Sequence, residues 1–256
     1  MLKLSEIRQL HIELTTRCNA RCPMCMRNYR GSEFNSGYPM CELSLADFKH
    51  IVTPELLAQL IQPEAPINGL VPKVFGFRGI TFNGNLGDFA SARDAVDIVE
   101  YVAEHSVPVH INTNGSLRNS AWWARLALPG VTVGFAIDGM SDTHKLYRQD
   151  TDWHRIIEHA QALIQAGGRA IWRFVPFEHN RHQEHDCRRM AHELGFFEFE
   201  NISVIKIDVE KNSELAEALR VKGLPTLMIY KQGEMKWRQS GEQDANTLIG
   251  LVQEYV

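Results

Sequence analysis

Three cysteines fall within eight residues, Cys18-Asn19-Ala20-Arg21-Cys22-Pro23-Met24-Cys25, with the spacing C-x3-C-x2-C. Where thiols stay reduced, such a cluster binds metal or does redox chemistry. Three thiolates on one loop can hold three irons of a [4Fe–4S] cube and leave the fourth iron open to an exogenous ligand. That open position separates a catalytic cluster from a four-cysteine electron carrier. Two other readings compete. Zinc could recruit Cys41 as a fourth ligand, although a structural zinc site usually takes two separated pairs. Cys22-Pro23-Met24-Cys25 alone could form a dithiol, which leaves Cys18 without a role. Cys41 and Cys187 complete the five cysteines of the chain and read as structural.

The elements that must position these thiols read as alternating strands and helices. A strand at 9–14 leads into the cysteine cluster, and further strands are expected at 79–83, 107–113, 131–137 and 170–177. Ser44 is a plausible cap for a helix holding Leu45, Phe48 and Ile51. A helix from 91 to 105 puts Ala95, Ile98, Val99 and Val102 on one face, and others are expected at 117–128, 151–166 and up to about Leu194. Residues 62–78 look like a connection. Strands spaced by helices imply parallel pairing with right-handed crossovers, and five strands are too few for a complete eight-stranded barrel.

The 256 residues carry 44% hydrophobic and 23% charged side chains with a net charge of −4, so no global basic surface draws the chain to nucleic acid. Mean hydropathy is −0.25, and no apolar run reaches the roughly 18 residues of a membrane span. Met1–Leu10 lacks the apolar core of a signal peptide, so a cytoplasmic location is expected.

The segment from Leu10 to Cys25, His-Ile-Glu-Leu-Thr-Thr-Arg-Cys-Asn-Ala-Arg-Cys-Pro-Met-Cys after Leu10, resembles the start of a radical S-adenosylmethionine (SAM) enzyme. The resemblance runs from about residue 7 to 196 and implies an α/β fold, a partial (β/α)6 barrel of the radical SAM type. It implies Cys18, Cys22 and Cys25 as ligands of a [4Fe–4S] cluster, with Met24 packing near the adenine of SAM, a place where relatives often carry an aromatic residue. Thr81-Phe82-Asn83-Gly84-Asn85-Leu86-Gly87-Asp88 is similar to the family's GGE region, giving Gly87 and Asp88 roles at the SAM ammonium; by itself this loop reads as a plain turn. Asn112-Thr113-Asn114-Gly115 matches the TNG segment and Phe135-Ala136-Ile137-Asp138-Gly139 with Tyr147-Arg148 the fourth-strand pattern. Ala136 replaces the usual serine. Arg148 would face the SAM carboxylate, unless it is a solvated arginine at a helix start, and Asn180 would lie near the ribose.

The last residues have a different texture. Strands at 202–209, 226–230 and 234–239 with helices at 213–220 and 244–255 make a β-α-β-β-α unit. Val221-Lys-Gly-Leu-Pro-Thr-Leu-Met-Ile-Tyr230 resembles the C-terminal half of a thioredoxin, with Pro225 at the family's cis-proline. The domains expected are therefore a radical SAM core at 1–198 and a truncated thioredoxin-like half at 199–256. No C-x2-C precedes this half, so it is not expected to work as a dithiol oxidoreductase. A segment at 197–209 is expected to serve as the sixth barrel strand. His179, His182, His185 and Cys187 scatter around a helix start and read as solvated rather than as a metal site. Trp122-Trp123 reads as core and interface. The resemblance implies a metal-binding enzyme that cleaves SAM reductively, with a peptide or small-molecule substrate and an external one-electron reductant, and neither nucleic acid nor membrane as partner. A non-catalytic iron–sulfur or zinc-binding module is the alternative.

Overall fold

A computed structural model describes residues 7, 9–25, 27–29, 33–34, 39–61, 78–201, 207–231, 234–243 and 247–248. The chain divides into two compact units, Met1–Asn201 and Ile202–Val256.

The first unit is built on six parallel strands. Strand β1 (Leu10–Ile12) is followed by a small hairpin of β2 (Asn28–Tyr29) and β3 (Glu33–Phe34), then by α1 (Leu45–Ile51) and α2 (Pro54–Leu60). Next come β4 (Ile80–Phe82), α3 (Ala95–Glu104), β5 (Val109–Thr113), α4 (Ser120–Ala124) and β6 (Val131–Ala136). After them follow α5 (Ser141–Tyr147), α6 (Trp153–Gln165), β7 (Arg169–Phe174), α7 (Glu184–Glu193) and β8 (Glu198–Asn201). The sheet order β1-β4-β5-β6-β7-β8 follows the chain, and each neighbouring pair is parallel. Winding in one direction with helical crossovers curls a sheet toward a barrel rather than an open doubly wound sheet. Among the described residues β1 and β8 do not pair, so the barrel is partial, as the sequence implies.

Period-2 alternation splits each strand between two environments. Ile80, Phe82, Val109, Ile111, Val131, Val133, Phe135, Ala170, Trp172 and Phe174 are all buried against the helices. Ala95, Ile98, Val99 and Val102 of α3 are wholly buried as expected. The opposite strand face carries His11, Thr81, His110 and Thr132 in one row across the sheet, and Asn112, Gly134, Ile171 and Glu198 in another. This polar face looks into the barrel.

Several boundaries differ from the sequence reading. Ser44 does cap α1 through a reciprocal box with Asp47, but Ile51 is 60% exposed and Val52 is buried in its place. The helix expected at 117–128 is confined to Ser120–Ala124, because Arg118 takes φ 73° and Asn119 caps from its side chain. The helix expected from 91 begins only at Ala95, after a 3-10 turn at Phe89–Ser91. Two further helices, α2 and α5, were not anticipated. The connection expected at 62–78 lies almost wholly outside the described residues.

The expected sixth strand is present as β8, paired with β7 from Ile171↔Glu198 to Phe174↔Asn201. Its continuation at 202–206 lies outside the described residues, and Val209 is already in a turn.

In the second unit, α8 (Ser213–Ala218) precedes an antiparallel pair, β9 (Thr226–Lys231) and β10 (Glu234–Ser240). The Leu224–Pro225 bond is cis, as the resemblance implies. Arg238 ties the pair to the end of α8 by donating to the carbonyls of Leu219 and Arg220 at 2.5 and 2.6 Å. The helix expected at 244–255 falls mostly outside the described residues.

Candidate cluster and SAM site

Directly after β1 the chain turns through Thr15–Arg17 into the cysteine loop, and the β4 end closes on it. Gly87 lies against the Thr15 carbonyl so closely that any Cβ would run into backbone, and the Asp88 N–H donates to Arg17 O at 2.7 Å. Glycine at 87 thus allows one segment of the protein to approach another. Asp88 is 4% exposed, and its carboxylate accepts from Ala90 N, Thr113 Oγ1 and Asn114 N at 2.7–3.1 Å. Burial pushes its pKa up while these donors oppose the rise. Asp88 therefore clamps the β4 and β5 ends together, a task the sequence did not show.

The clamp sets Asn114 over the cysteine loop, where its amide donates to Asn19 Oδ1 at 3.0 Å and reaches Cys18 Sγ at 3.6 Å. On the other side, Arg148 at the end of α5 donates from Nε to Asp138 Oδ2 at 2.6 Å, and its Nη1 lies 4.0 Å from Cys22 Sγ. It is a largely buried, paired arginine; the solvated reading is corrected. Asp138 is fully buried, accepts from Val175 N at 2.8 Å, and has its own N–H aimed at His144 Nδ1 at 3.1 Å. Asn180, also fully buried, accepts from Phe177 N and donates to Val175 O and Asp138 O. It fixes the turn after β7. The loop is latched further by Arg21 N to Gln149 O at 3.0 Å and Asn19 Nδ2 to Asp150 O at 3.1 Å.

Cys22 is buried, Cys18 and Cys25 half-buried, and all three are free thiols. Burial, reinforced by Asp88, pushes the Cys18 thiol up to about 12; burial also raises Cys22, against the pull of Arg148. Thiols so desolvated ionise only against a nearby positive charge such as a metal provides. Among the described residues no three His, Cys, Asp or Glu side chains converge as a single ion would need. A lone zinc draws its ligands to one centre about 2.3 Å from each sulfur. A cube instead takes one thiolate per iron. The donor set, three thiols with an arginine and an amide beside them, fits such a cluster. Cys41 is exposed, its thiol 3.9 Å from Thr16 Oγ1, and Cys187 is buried in α7.

Of the other expected residues, Met24 is 78% exposed and Gly87 serves the backbone contact above. Asn112 faces the barrel interior, where its amide donates to Asn83 Oδ1 at 3.1 Å and its oxygen accepts from Arg173 Nη1. Sequence reasoning missed this interior row. Arg173 lies across β6 because Gly134 offers no side chain; a Cβ there would sit 2.7 Å from Arg173 Nε. The guanidinium lies 2.7 Å from Glu200 on β8, yet Arg173 Nε and Glu200 Oε2 lack hydrogen-bond alignment. Beyond Asn83 the row continues to Asn85 and, through Asn85 N at 2.9 Å, to Glu13 after β1. The alternation of polar residues along five strands was the signal available. His182 and His185 are exposed and His179 stacks on Phe177 at 5.3 Å. Trp123 is fully buried, while Trp122 packs on Phe89 at 5.9 Å.

A sequentially wound parallel barrel with three clustered cysteines just after its first strand defines an α/β protein with a candidate cofactor loop at the strand ends. The radical SAM superfamily model matches residues 12–185, more than half of the sequence, and the chain belongs to that superfamily. The thioredoxin family model matches residues 185–254. The fold is similar to SuiB from Streptococcus suis bound to the precursor peptide SuiA, with a TM-score of 0.60 and 15% identity over 84% of this chain and 46% of that one. It is also similar to native anSMEcpe with bound AdoMet, with a TM-score of 0.55 and 16% identity over 77% of this chain and 51% of that one. This chain thus spans about half the length of those structures. The C-terminal part is 36% identical over 73 residues to the thioredoxin-like protein slr0233 of Synechocystis sp., covering 27% of this chain and 70% of that protein. No described helix is long and apolar enough to cross a membrane.

Proposed function

We propose that this protein is a radical SAM enzyme whose core spans 1–198, with a truncated thioredoxin-like half at 199–256. In this reading Cys18, Cys22 and Cys25 hold a [4Fe–4S] cluster. The observation that carries it is the gathering of the three-thiol loop by two separate devices, Asn114 beside Cys18 and Arg148 beside Cys22. The bound cluster and SAM supply reductive cleavage of SAM and the abstraction of hydrogen from substrate. The chain's own groups bind, orient and exclude water. Asp88 keeps Asn114 in place, and Asp138 holds the Arg148 guanidinium, leaving further N–H groups for a carboxylate. Met24 at the open side of the loop would pack on the adenine.

A peptide substrate is the favoured finer reading. SuiB was crystallised with its precursor peptide and anSMEcpe with a Cp18Cys peptide. The interior row of Asn83, Asn112, Arg173 and Glu200 offers donors and acceptors of the kind an extended backbone uses. A reduced cluster held by cysteines also suits a reducing compartment such as the cytoplasm.

The test is anaerobic reconstitution with iron and sulfide, reduction in the presence of SAM, and measurement of 5′-deoxyadenosine. Formation of 5′-deoxyadenosine supports the proposal. A cluster without SAM cleavage would make the protein a non-catalytic iron–sulfur module, and retained zinc with no cluster would make it a zinc-binding one.

A further inference from the structure

The side chain of Asn114 has a fixed direction. Its Oδ1 accepts from Ser116 N at 2.9 Å, which settles which way the amide faces and turns Nδ2 toward the cysteine loop. One Nδ2 hydrogen meets Asn19 Oδ1 at 3.0 Å, and the other serves Cys18 Sγ, 3.6 Å away. A second donor, the Ala20 N–H, reaches the same sulfur at 3.3 Å. Asn114 is buried and its backbone N–H is held by Asp88 Oδ2 at 2.7 Å, so the amide cannot swing away. At the second sulfur the donor is charged. Arg148 Nε is occupied by Asp138 Oδ2 at 2.6 Å, and that bond leaves Nη1 4.0 Å from Cys22 Sγ. Asp138 is fixed in turn, fully buried with Val175 N on its other oxygen at 2.8 Å. Two of the three loop sulfurs thus face side-chain N–H groups, each positioned by a buried carboxylate.

We propose that Asn114 and Arg148 set the reduction potential of the cluster, raising it through the N–H groups they direct at Cys18 and Cys22. The inference rests on the proposed function and adds what these two positioning residues do beyond gathering the loop. An iron–sulfur cluster gains one negative charge on reduction, and N–H groups directed at its sulfurs stabilise the reduced form more than the oxidised one. An exposed cluster would take such hydrogen bonds from water. Cys22 is buried and Cys18 half-buried, so here the protein supplies them, in surroundings that screen a fixed dipole or charge only weakly. Holding the loop in shape does not by itself call for a donor on sulfur. The loop is already latched from Arg21 N to Gln149 O and from Asn19 Nδ2 to Asp150 O, contacts that involve neither residue.

The experiment measures the midpoint potential of the reconstituted cluster without SAM, by anaerobic titration with dithionite followed by electron paramagnetic resonance. It compares wild type with Asn114→Leu, Asn114→Asp, Arg148→Met and Arg148→Lys, and with Cys41→Ala as a control. Asn114→Asp keeps the shape and the acceptor for Ser116 N but replaces the donor by an oxygen. At a poise that half-reduces wild type, the reduced-to-oxidised ratio should fall about tenfold in Asn114→Asp and Arg148→Met, a shift of about 59 mV to more negative potential. Asn114→Leu should shift less. Arg148→Lys, which keeps the charge, should stay close to wild type, and Cys41→Ala should titrate with it. Resonance Raman should show Fe–S(Cys) stretches rising in Asn114→Leu and Arg148→Met, since a sulfur relieved of its donor binds iron more tightly. Unchanged midpoints at full iron and sulfide content, a positive shift in Asn114→Asp, or equal shifts in Arg148→Lys and Arg148→Met would overturn the proposal. Where Asn114→Leu or Arg148→Met holds no cluster, Asn114→Asp and Arg148→Gln give the same comparison. Retained zinc with no cluster in wild type would overturn it together with the proposed function. Shifted midpoints with no 5′-deoxyadenosine from wild type would support this inference while the enzymatic reading falls; 5′-deoxyadenosine with unshifted midpoints would do the reverse.

Discussion

His144 ties the stability of the site to pH. Its ring is fully buried in α5, with Nδ1 3.1 Å from the Asp138 N–H and Nε2 3.1 Å from Thr151 Oγ1. Thr151 gives its own proton to Arg148 O at 2.6 Å, so its oxygen accepts from Nε2. The ring is therefore neutral, with its proton on Nε2. Protonating Nδ1 would set two donors face to face beneath the Asp138–Arg148 pair. Burial is the main cause that lowers this pKa to about 4 from 6.5. The unfolded chain thus holds a proton between pH 6.5 and 4 that the folded chain does not. The contribution is complete above pH 6.5 and is lost as pH falls toward 4. One proton corresponds to a slope of at most about 1.4 kcal/mol per pH unit, and over this window to about 3 kcal/mol. The measurement is urea unfolding of wild type and His144→Gln from pH 7.5 to 4.5, read by tryptophan fluorescence. Four of the five tryptophans, Trp122, Trp123, Trp153 and Trp172, lie in the first unit. Burial also lowers the pKa of His110 and His159, so a residual acid slope remains in the variant. The stability gap between wild type and variant should shrink by about 3 kcal/mol as pH falls through the window. A gap that stays constant would refute the assignment of the neutral ring.

Removing Cys18, Cys22 or Cys25 singly to alanine should abolish a stable cluster, whereas Cys41→Ala should retain it; iron and sulfide content per chain decides this. Asp138→Asn leaves the Arg148 charge without its carboxylate, a loss of about 2–3 kcal/mol once the partial exposure of Arg148 is allowed for, seen as a lower urea midpoint. Gly134→Ala should cost about 1–3 kcal/mol because its methyl meets the Arg173 guanidinium. Adding Arg173→Ser should recover most of that cost; a strictly additive double variant would show that the crossing of β6 is not the cause. Gly87→Ala, with its Cβ against Thr15 backbone, should cost at least about 3 kcal/mol and lower the iron bound after reconstitution.

The sheet was legible because its strands keep one apolar face under the helices, and α3 because four apolar residues share one stripe. Other elements hid for local reasons. The helix after β5 looked long from its apolar content, yet Arg118 in the left-handed region and the Asn119 cap forbid a start before Ser120. Helix α5 inverts the usual pattern: its buried residues are Thr143 and His144, held by hydrogen bonds to Gln183, Asp138 and Thr151 rather than by an apolar stripe. Helix α2 did carry a signal, the Thr53 cap with Pro54 at the first position, within a stretch the reading left unassigned.

For the site, spacing alone located the cysteine loop, since its ligand count depends on neighbours in sequence. What the motif residues do was less legible, because it depends on which strand ends meet. Asp88 and Asn180 stood in the sequence as groups for SAM, yet their side-chain oxygens are taken up by the protein's own N–H and O–H donors. In the structure Asp88 places Asn114, and Asn180 braces the Asp138 turn that holds Arg148. The groups left facing the interior are those whose partners come from distant strands, Arg173 over Gly134 to Asn112 and Glu200 from β8. Glu200 belongs to the strand at which the radical SAM resemblance gives way to thioredoxin-like sequence. The barrel interior is thus completed by the join between the two families. Asn112 and Arg173 fall within the radical SAM match and Glu200 within the thioredoxin match, so the interior row draws on both.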